Sequence, residues 1–298
     1  MNRPDNTASG LLIVDKPAGL TSQQVVGRCR HLLGTRKVGH AGTLDPMATG
    51  VLIVGVNRAT RLLGHLAMHD KRYLATIRLG ASTTTDDAEG EVVAQTDASG
   101  VEDEQVNAGI AGLTGQIDQV PSSVSAIKVN GQRAYALVRK GQDVTLAARR
   151  VTVSDFTVLA TRREGPFIDL DVTVECTSGT YVRALARDLG AGLGVGGHLT
   201  ALRRTRIGRY LIDDAVQLPD RDSDQPAPPL MPMARAAELS FPVVHIDAAQ
   251  RQAVGYGKPL DLVLPGPLAG LVDEQGELVA LYRPDERVGR ARPAAVLI

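Results

Sequence analysis

The stretch "VGHAGTLDPMATGVLIVG", residues 38–55, decides the fold prediction because a polar loop runs directly into an apolar strand. Its first half is rich in Gly and Thr, and its second half is typical of a buried β-strand. One carboxylate, Asp45, stands in the loop just before that strand. Asp-Pro is a common turn signal, so Asp45 has a plain interpretation as a turn former. The alternative is that the loop presents Asp45 to a ligand.

The segments on either side of this loop predict a sheet with helices packed on it. Upstream, "LLIVDKPAGLTS" predicts a strand, a Lys-Pro turn and a helix capped by Thr21 or Ser22. Downstream, "KRYLATIRLG" and residues 167–176 alternate like half-buried strands, and "HLTALRRTRIGRY" predicts a basic strand. These strands show no regular βαβ alternation. We therefore expect the α+β class, with a mixed, largely antiparallel sheet flanked by helices.

Composition changes along the chain predict its domain organisation. Residues 1–9 are polar and predict a disordered N-terminus, and residues 10–217 predict one catalytic domain. Residues 218–240 are rich in Pro and Asp, which is typical of a linker. Residues 241–298 contain a hairpin-like pattern and predict a small β-rich C-terminal domain.

Charge and cysteine content limit the possible function classes. The 298 residues carry zero formal net charge, but acidic residues outnumber basic ones after residue 209, so the first part is net positive. A local basic face, not total charge, decides whether a protein binds nucleic acid. Cys29 and Cys176 lie in apolar patterns without metal-ligand spacing, which is typical of reduced core thiols. With no apolar run of membrane length, we expect a cytoplasmic protein that does not bind membranes.

Familiar catalytic templates fit poorly. The sequence has no G-x-S-x-G elbow, no Walker A loop, no dinucleotide fingerprint and no histidine pair at zinc spacing. The glycine-rich "GAGLGVGG", residues 190–197, ends a predicted helix and is therefore a weak candidate for a phosphate site. A carboxylate with possible Arg, Tyr and His partners remains. This set suits nucleophilic or general-base catalysis without a cofactor or metal.

Several motifs in a fixed order carry a resemblance to a known family. "GHAGTLDPMATGVLIVG" closely resembles the catalytic motif of the bacterial tRNA pseudouridine synthases that modify uridine 55 in the T loop. "LLIVDKPAGLTS", "KRYLATIRLG" with "STTTDDAEGE", "PSSVSAIKVNGQRAY", "CTSGTYVRALARDLG" and "GGHLTALRRTRIG" are similar to its other blocks. The resemblance spans about residues 11–209. It implies the pseudouridine synthase catalytic fold, isomerisation of uridine after base flipping without cofactor, and a PUA-like domain over residues 241–298.

The resemblance also implies roles for individual side chains. It makes Asp45 the nucleophile, Tyr73 the ring that packs on the target base, and Arg183 the partner of Asp45. The substrate-binding residues that it implies are His40, Asp87, Tyr181, Leu202 and Lys16, the last as support for the floor of the site. The implied partner is the T-arm of tRNA, and we expect a monomer.

Basic segments predict where the RNA backbone binds. The residues expected to contact phosphates are Arg36, Lys37, Arg204 and Arg206. Strict strand alternation would place Arg204 and Arg206 on the same face of one strand. A charged strand that is simply solvated is the structural alternative.

Two other functions stay open at this stage. The chain could be an inactive tRNA-binding or tRNA-folding module, although Asp45, Tyr73 and Arg183 are all present. It could also be a carboxylate-dependent glycosidase or nucleosidase. That chemistry normally uses a second acid at a defined distance, and no clear partner is present in the sequence.

Overall fold

A computed structural model describes residues 7–122, 128–129, 132–133, 146–220, 225–285 and 289–298. The helices are α1 (Ser22–Leu33), α2 (Leu63–Leu66), α3 (Asp103–Gly112), α4 (Val182–Gly192), α5 (Met233–Ser240) and α6 (Ala248–Gly255), with short 3-10 helices at Asn57–Leu62 and Ile212–Asp214. The strands are β1 (Gly10–Lys16), β2 (Val38–Ala41), β3 (Thr49–Val56), β4 (Lys71–Leu79), β5 (Ala81–Thr83), β6 (Val92–Gln95), β7 (Gly115–Gln119), β8 (Lys128–Val129), β9 (Gln132–Arg133), β10 (Arg149–Glu164), β11 (Phe167–Cys176), β12 (Gly197–Ile207), β13 (Tyr210–Leu211), β14 (Met231–Pro232), β15 (Val243–His245), β16 (Ala269–Val272), β17 (Leu278–Asp285) and β18 (Arg290–Val296).

The chain divides into two compact units that do not follow the predicted sequential boundaries. The first unit comprises Met1–Pro46, Gly50–Met68 and Gly208–Ile298, and the second comprises Met47–Thr49 and His69–Ile207. The predicted disorder of residues 1–9 falls mostly on residues 1–6, which lie outside the described residues.

The N-terminal sheet of the first unit forms around the quoted stretch. Its strand order is β14-β1-β3, with β2 also paired to β3, and all of these pairs are antiparallel. Helix α1 packs its Val25, Val26 and Cys29 against apolar side chains of β1 and β3. Thr21 and Gln24 form a capping box that starts the helix, as the sequence predicted for Thr21 or Ser22.

The C-terminal part of the first unit is a second, four-stranded sheet in the order β15-β16-β17-β18. Strands β15 and β16 are parallel, and the other neighbours are antiparallel. Residues 231–240 of the predicted linker instead form β14 and α5, and α5 buries Met233, Ala236 and Ala237. The Pro- and Asp-rich composition hid this helix because its buried stripe consists mostly of small alanines.

The second unit contains an antiparallel sheet in the order β12-β4-β11-β10-β7. Strand β11 alternates as predicted, with Ile168, Leu170, Val172 and Val174 buried on one face. Two small hairpins, β5-β6 and β8-β9, accompany it. The second flanks the predicted Asn-Gly turn at residues 130–131, which lie outside the described residues.

A β-bulge interrupts the basic strand β12. Arg204 pairs with Tyr73 of β4 and Arg206 pairs with the adjacent Arg72, so two residues of β12 advance against one of β4. Side-chain burial shifts accordingly, because Leu202, Arg204 and then Ile207 are buried. The expectation that Arg204 and Arg206 share a face is therefore wrong.

Candidate active site

The loop that carries Asp45 connects β2 to β3 and has a fixed backbone. The buried Ser22 hydroxyl donates to the Leu44 carbonyl at 3.1 Å and accepts from the Leu44 amide at 2.9 Å. On the other side of Asp45, the Gly19 amide donates to the Pro46 carbonyl at 2.8 Å. Asp45 itself is half-buried. Both peptide neighbours of the carboxylate are therefore held while its side chain keeps partial access to solvent.

Lys16 at the end of β1 supports the same loop. Its side chain is 0% exposed, and Nζ donates to the carbonyls of Pro17 at 2.8 Å, Leu20 at 2.6 Å and Pro46 at 3.1 Å. An ammonium has three donors, and a buried one is costly unless they are satisfied. The three carbonyls supply those acceptors, and the role of Lys16 as support for the floor of the site stays a prediction.

His40 lies on β2, opposite Val54 of β3. It is half-buried. The quoted stretch thus carries His40 on a strand and Asp45 in the following loop, and Lys16 lies at the end of β1 in the same unit.

In the second unit, Arg183 and Asp87 form a buried ion pair. Arg183 lies in the first turn of α4 and is 4% exposed, and Asp87 is 2% exposed. Arg183 Nη1 donates to the Thr85 carbonyl at 2.9 Å and lies 3.4 Å from Asp87 Oδ2. Asp87 Oδ1 accepts from the Glu89 amide at 3.1 Å and from the Thr85 hydroxyl. The sequence did not predict this ion pair, in which Asp87 holds Arg183 in place.

The residue before Asp87 has an unusual backbone. Asp86 has a φ of 59°, in the left-handed region that few residues other than Gly adopt. Its carbonyl accepts from the Leu199 amide at 3.1 Å, and its Oδ2 lies 3.4 Å from Arg187 Nη1 of α4. The loop that holds Arg183 is thus itself tied to both β12 and α4.

Tyr73, Leu202 and Arg204 lie on one buried face of the second unit's sheet. Tyr73 pairs with Arg204 across β4 and β12, and Leu202 pairs with Ala75. Arg204 is 1% exposed. This burial does not fit the predicted contact of Arg204 with an RNA backbone, because its side chain is withdrawn from solvent.

Lys71, two residues before Tyr73, is a second buried cation on this face. It is 6% exposed, and its Nζ donates to the His69 carbonyl at 2.7 Å. Burial and, to a lesser extent, the charge of Arg204 lower the pKa of Lys71 to about 8. Burial also raises the pKa of Cys176 to about 11, so this thiol is protonated at neutral pH.

Arg206 lies on the opposite, outer face and forms an ion pair with Glu175. The same carboxylate accepts from Arg72 Nη2 at 2.7 Å. Hydrogen bonds from Arg72 and Arg206 hold the pKa of Glu175 below its usual range. The charge of Arg206 is therefore already compensated, which does not fit a contact with RNA phosphate. Arg36 and Lys37, which follow α1, are exposed.

Tyr181 is the N-cap residue of α4, and a glutamine that the sequence did not single out holds it. Gln119 Oε1 accepts from the Tyr181 amide at 2.8 Å, and Gln119 Nε2 donates to the Tyr181 carbonyl at 3.1 Å. Sequence reasoning could not find Gln119, because its partner lies 62 residues away.

Neither a metal-binding cluster nor a membrane-spanning helix occurs among the described residues. Among these residues, no group of three or more His, Cys, Asp or Glu side chains is arranged to hold a metal ion. No helix in the described part of the chain is long and apolar enough to cross a membrane.

Comparison with known proteins identifies the family. Residues 30–182 match the TruB family pseudouridylate synthase (N terminal domain), and residues 183–222 match the tRNA pseudouridylate synthase B C-terminal domain. The tRNA pseudouridine synthase B of Cutibacterium acnes is 61% identical, with 97% of this chain and 98% of the relative covered. That of Rhodococcus jostii is 57% identical, with 97% and 94% covered.

Solved structures show the same class of fold. A structure of a Cbf5-Nop10-Gar1 complex matches with a TM-score of 0.70 and 27% identity, covering 99% of this chain and 88% of the matched one. An H/ACA RNP bound to a substrate RNA containing 2'-deoxyuridine matches with a TM-score of 0.68 and 25% identity, covering 97% and 85%.

Fold and motifs together define a pseudouridine synthase, an isomerase that acts on RNA. Within that class, the chain belongs to the TruB family. Its reaction is the isomerisation of uridine to pseudouridine in tRNA.

Proposed function

We propose that this chain modifies uridine 55 in the T loop of tRNA, with Asp45 as the nucleophile and without a cofactor. The observation that carries the proposal is the Asp45 loop, whose backbone is braced by Ser22, Gly19 and Lys16 around one half-buried carboxylate. The solved relative bound to an RNA containing 2'-deoxyuridine supports a pocket for a single uridine nucleotide.

The reaction breaks the C1′–N1 bond, turns the base and forms a C1′–C5 bond. The proton on C5 leaves and N1 ends protonated, so the atoms of uridine are conserved. Flipping the base out of the T loop costs a few kcal/mol of stacking and pairing. Stacking on an aromatic ring returns about 1–3 kcal/mol, and Tyr73 serves as that ring.

Asp45 must stay ionised beneath the flipped base. Loss of water raises the pKa of a carboxylate, and a nearby guanidinium lowers it again. Arg183 supplies that guanidinium in the proposed mechanism, and Asp87 fixes its orientation. Tyr181 and Leu202 line the pocket, and His40 assists extrusion of the uridine.

Recognition of the T-arm uses exposed basic residues. Arg36 and Lys37 contact RNA phosphates, whereas Arg204 and Arg206 have buried or compensated charges. The enzyme acts as a monomer in the cytoplasm, where tRNA is available as a substrate.

The test uses an unmodified tRNA transcript and the purified full chain. Wild-type protein is expected to release tritium from 5-tritiated uridine at position 55, with no release from a transcript that carries cytidine there. Asp45→Asn is expected to bind tRNA with wild-type affinity and form no pseudouridine. Asp261→Asn, an exposed carboxylate change in the C-terminal part, is the matched control. Substantial product from Asp45→Asn, or product at another position, would refute the proposal.

A further inference from the structure

Gln119, the last residue of β7, makes an unusual contact with the start of α4. Its side chain is 2% exposed. Its carboxamide accepts from the Tyr181 amide at 2.8 Å and donates to the Tyr181 carbonyl at 3.1 Å. A carboxamide offers an acceptor and a donor side by side, so it can pair with one residue's main chain as a neighbouring strand would.

The residue that Gln119 holds is the one at which α4 begins. Tyr181 has an extended backbone, with φ of −107° and ψ of 109°, and its side chain makes no capping hydrogen bond to the helix. The Tyr181 carbonyl also accepts from the Leu185 amide at 3.2 Å, the first bond of the helix. Gln119 thus fixes the peptide groups from which the first turn grows, and Arg183 lies in that turn.

A second set of contacts fastens α4 from the same direction. Arg187 Nη2 donates to the carbonyl of Val120, the residue after Gln119, at 2.7 Å. Arg187 Nη1 lies 3.4 Å from Asp86 Oδ2, in the loop that also holds Arg183. The end of β7, the Asp86 loop and the first two turns of α4 therefore form one connected polar network within the second unit.

We propose that Gln119 is a positioning residue for the isomerisation. It sets the orientation of Tyr181 and, through the first turn of α4, of Arg183; this inference rests on the roles proposed above for those two side chains. A displacement of about 1 Å of a positioned group can lower an enzymatic rate by about 100-fold without a comparable loss of binding. Gln119 therefore acts on the chemical step more than on tRNA affinity.

The decisive variant is Gln119→Glu, which keeps the shape of the side chain. An ionised carboxylate still accepts from the Tyr181 amide, but it cannot donate to the Tyr181 carbonyl. A protonated carboxyl can do both. Burial raises the pKa of a carboxyl group, so protonation of this one falls within an accessible pH range. The charged groups on the adjoining elements are Arg149, which lies opposite Gln119 on β10, and Arg187, which pairs with Asp86 and Asp188. The neighbouring Asp118 pairs with Arg150.

Single-turnover rates on the tRNA transcript test the proposal. At pH 8 we expect Gln119→Glu to lose about 10- to 100-fold in rate, with the dissociation constant for tRNA changed less than about twofold. Lowering the pH to 6 should recover rate in this variant relative to wild type at the same pH. Gln116→Glu makes the same change at an exposed position of the same strand and should match wild type throughout.

The outcomes separate this inference from the proposed function. Wild-type rates in Gln119→Glu would refute the inference, and so would a rate loss that follows melting temperature and tRNA affinity without recovery at low pH. If Gln119→Glu does not fold, Gln119→Met, which removes both hydrogen bonds without adding charge, must show the rate loss at unchanged affinity. If the wild-type chain forms no pseudouridine at position 55, or Asp45→Asn still forms it, the proposed function fails instead.

Discussion

Lys16 Nζ donates a 3.1 Å hydrogen bond to the carbonyl of Pro46, the residue that follows Asp45. The same ammonium also donates to two further carbonyls, those of Pro17 and Leu20. The turn after β1 and the Asp45 loop therefore share one buried charge, which holds their backbones close together.

Replacement of this charge should affect both stability and rate. Lys16→Met removes the ammonium donor from three carbonyls, of which that of Pro46 keeps its hydrogen bond from the Gly19 amide. A buried carbonyl left unsatisfied costs about 1–3 kcal/mol. We expect a lower melting temperature and slower isomerisation at saturating tRNA, because the Asp45 loop loses its support. Lys258→Met, at an exposed lysine, is the control for both measurements. An unchanged melting temperature and rate would show that the loop does not depend on Lys16.

Lys71 makes stability depend on pH in a predictable direction. Its pKa is about 8 in the folded chain and near 10.5 when unfolded, so between these values the unfolded chain binds more protons. The free energy of unfolding contributed by Lys71 should therefore rise with pH across this window, by up to about 1.4 kcal/mol per pH unit.

The measurement is the difference in unfolding free energy between wild type and Lys71→Met from pH 7 to pH 10. Groups far from Lys71 titrate alike in both proteins and cancel, whereas the pKa values of His69 and Cys176 respond to the charge of Lys71. Over this pH range, the unfolding free energy of wild type should rise relative to that of Lys71→Met by about 3 kcal/mol at most. A difference that is flat with pH would mean that Lys71 titrates near its usual value.

The glycine-rich end of α4 is explained by close packing. A Cβ on Gly190 would lie 2.2 Å from backbone atoms of Gly196 and Gly197, whereas a Cβ on Gly192 would meet nothing within 4 Å. Gly190→Ala should destabilise by about 1–3 kcal/mol, because backbone must move. Gly192→Ala should stabilise by about 0.5–1 kcal/mol through helix propensity. Chemical denaturation compares the pair, and equal effects would contradict the packing explanation.

The salt dependence of tRNA binding should distinguish exposed from compensated charges. Each lost phosphate contact lowers the slope of log affinity against log salt by about 0.7–0.9. Replacing Arg36 and Lys37 together with Gln should therefore reduce the slope by about 1.4–1.8 if each contacts one phosphate. Arg206→Gln should change the slope little, because Glu175 already compensates its charge. A larger change in slope for Arg206→Gln than for the double variant of Arg36 and Lys37 would indicate that β12 contacts the phosphates.

Sequence periodicity predicted the elements whose side chains pack locally. Helix α1 and strand β11 follow their apolar spacing, because each buries one regular stripe. The bulge after Arg204 escaped prediction, since it depends on the register between β12 and β4 and not on either strand alone. Gln119 escaped for a similar reason, because its role depends on a contact made only after folding.

The motifs of the candidate site were readable because they lie in short, continuous segments. The motif around Asp45 and the segment from Tyr181 to Arg183 each contain a candidate residue together with its characteristic neighbours in the sequence. The contacts that hold these side chains could not be predicted in the same way. The resemblance implied support from Lys16, but the carbonyl that Lys16 binds and the amide from which Asp87 accepts could belong to any residue. The sequence therefore indicated the candidate chemistry, and the structure showed the contacts that hold the candidate side chains in place.

The left-handed backbone of Asp86 restricts how this position can drift during evolution. From an aspartate codon, one nucleotide change reaches Gly, Asn, Glu, Ala, Val, His or Tyr. Of these, Gly and Asn enter a positive φ most readily, and Gly would give up the contact with Arg187. Asparagine is thus the most accessible neutral exchange, and saturation libraries at this codon should return mainly Asp, Asn and Gly among active clones.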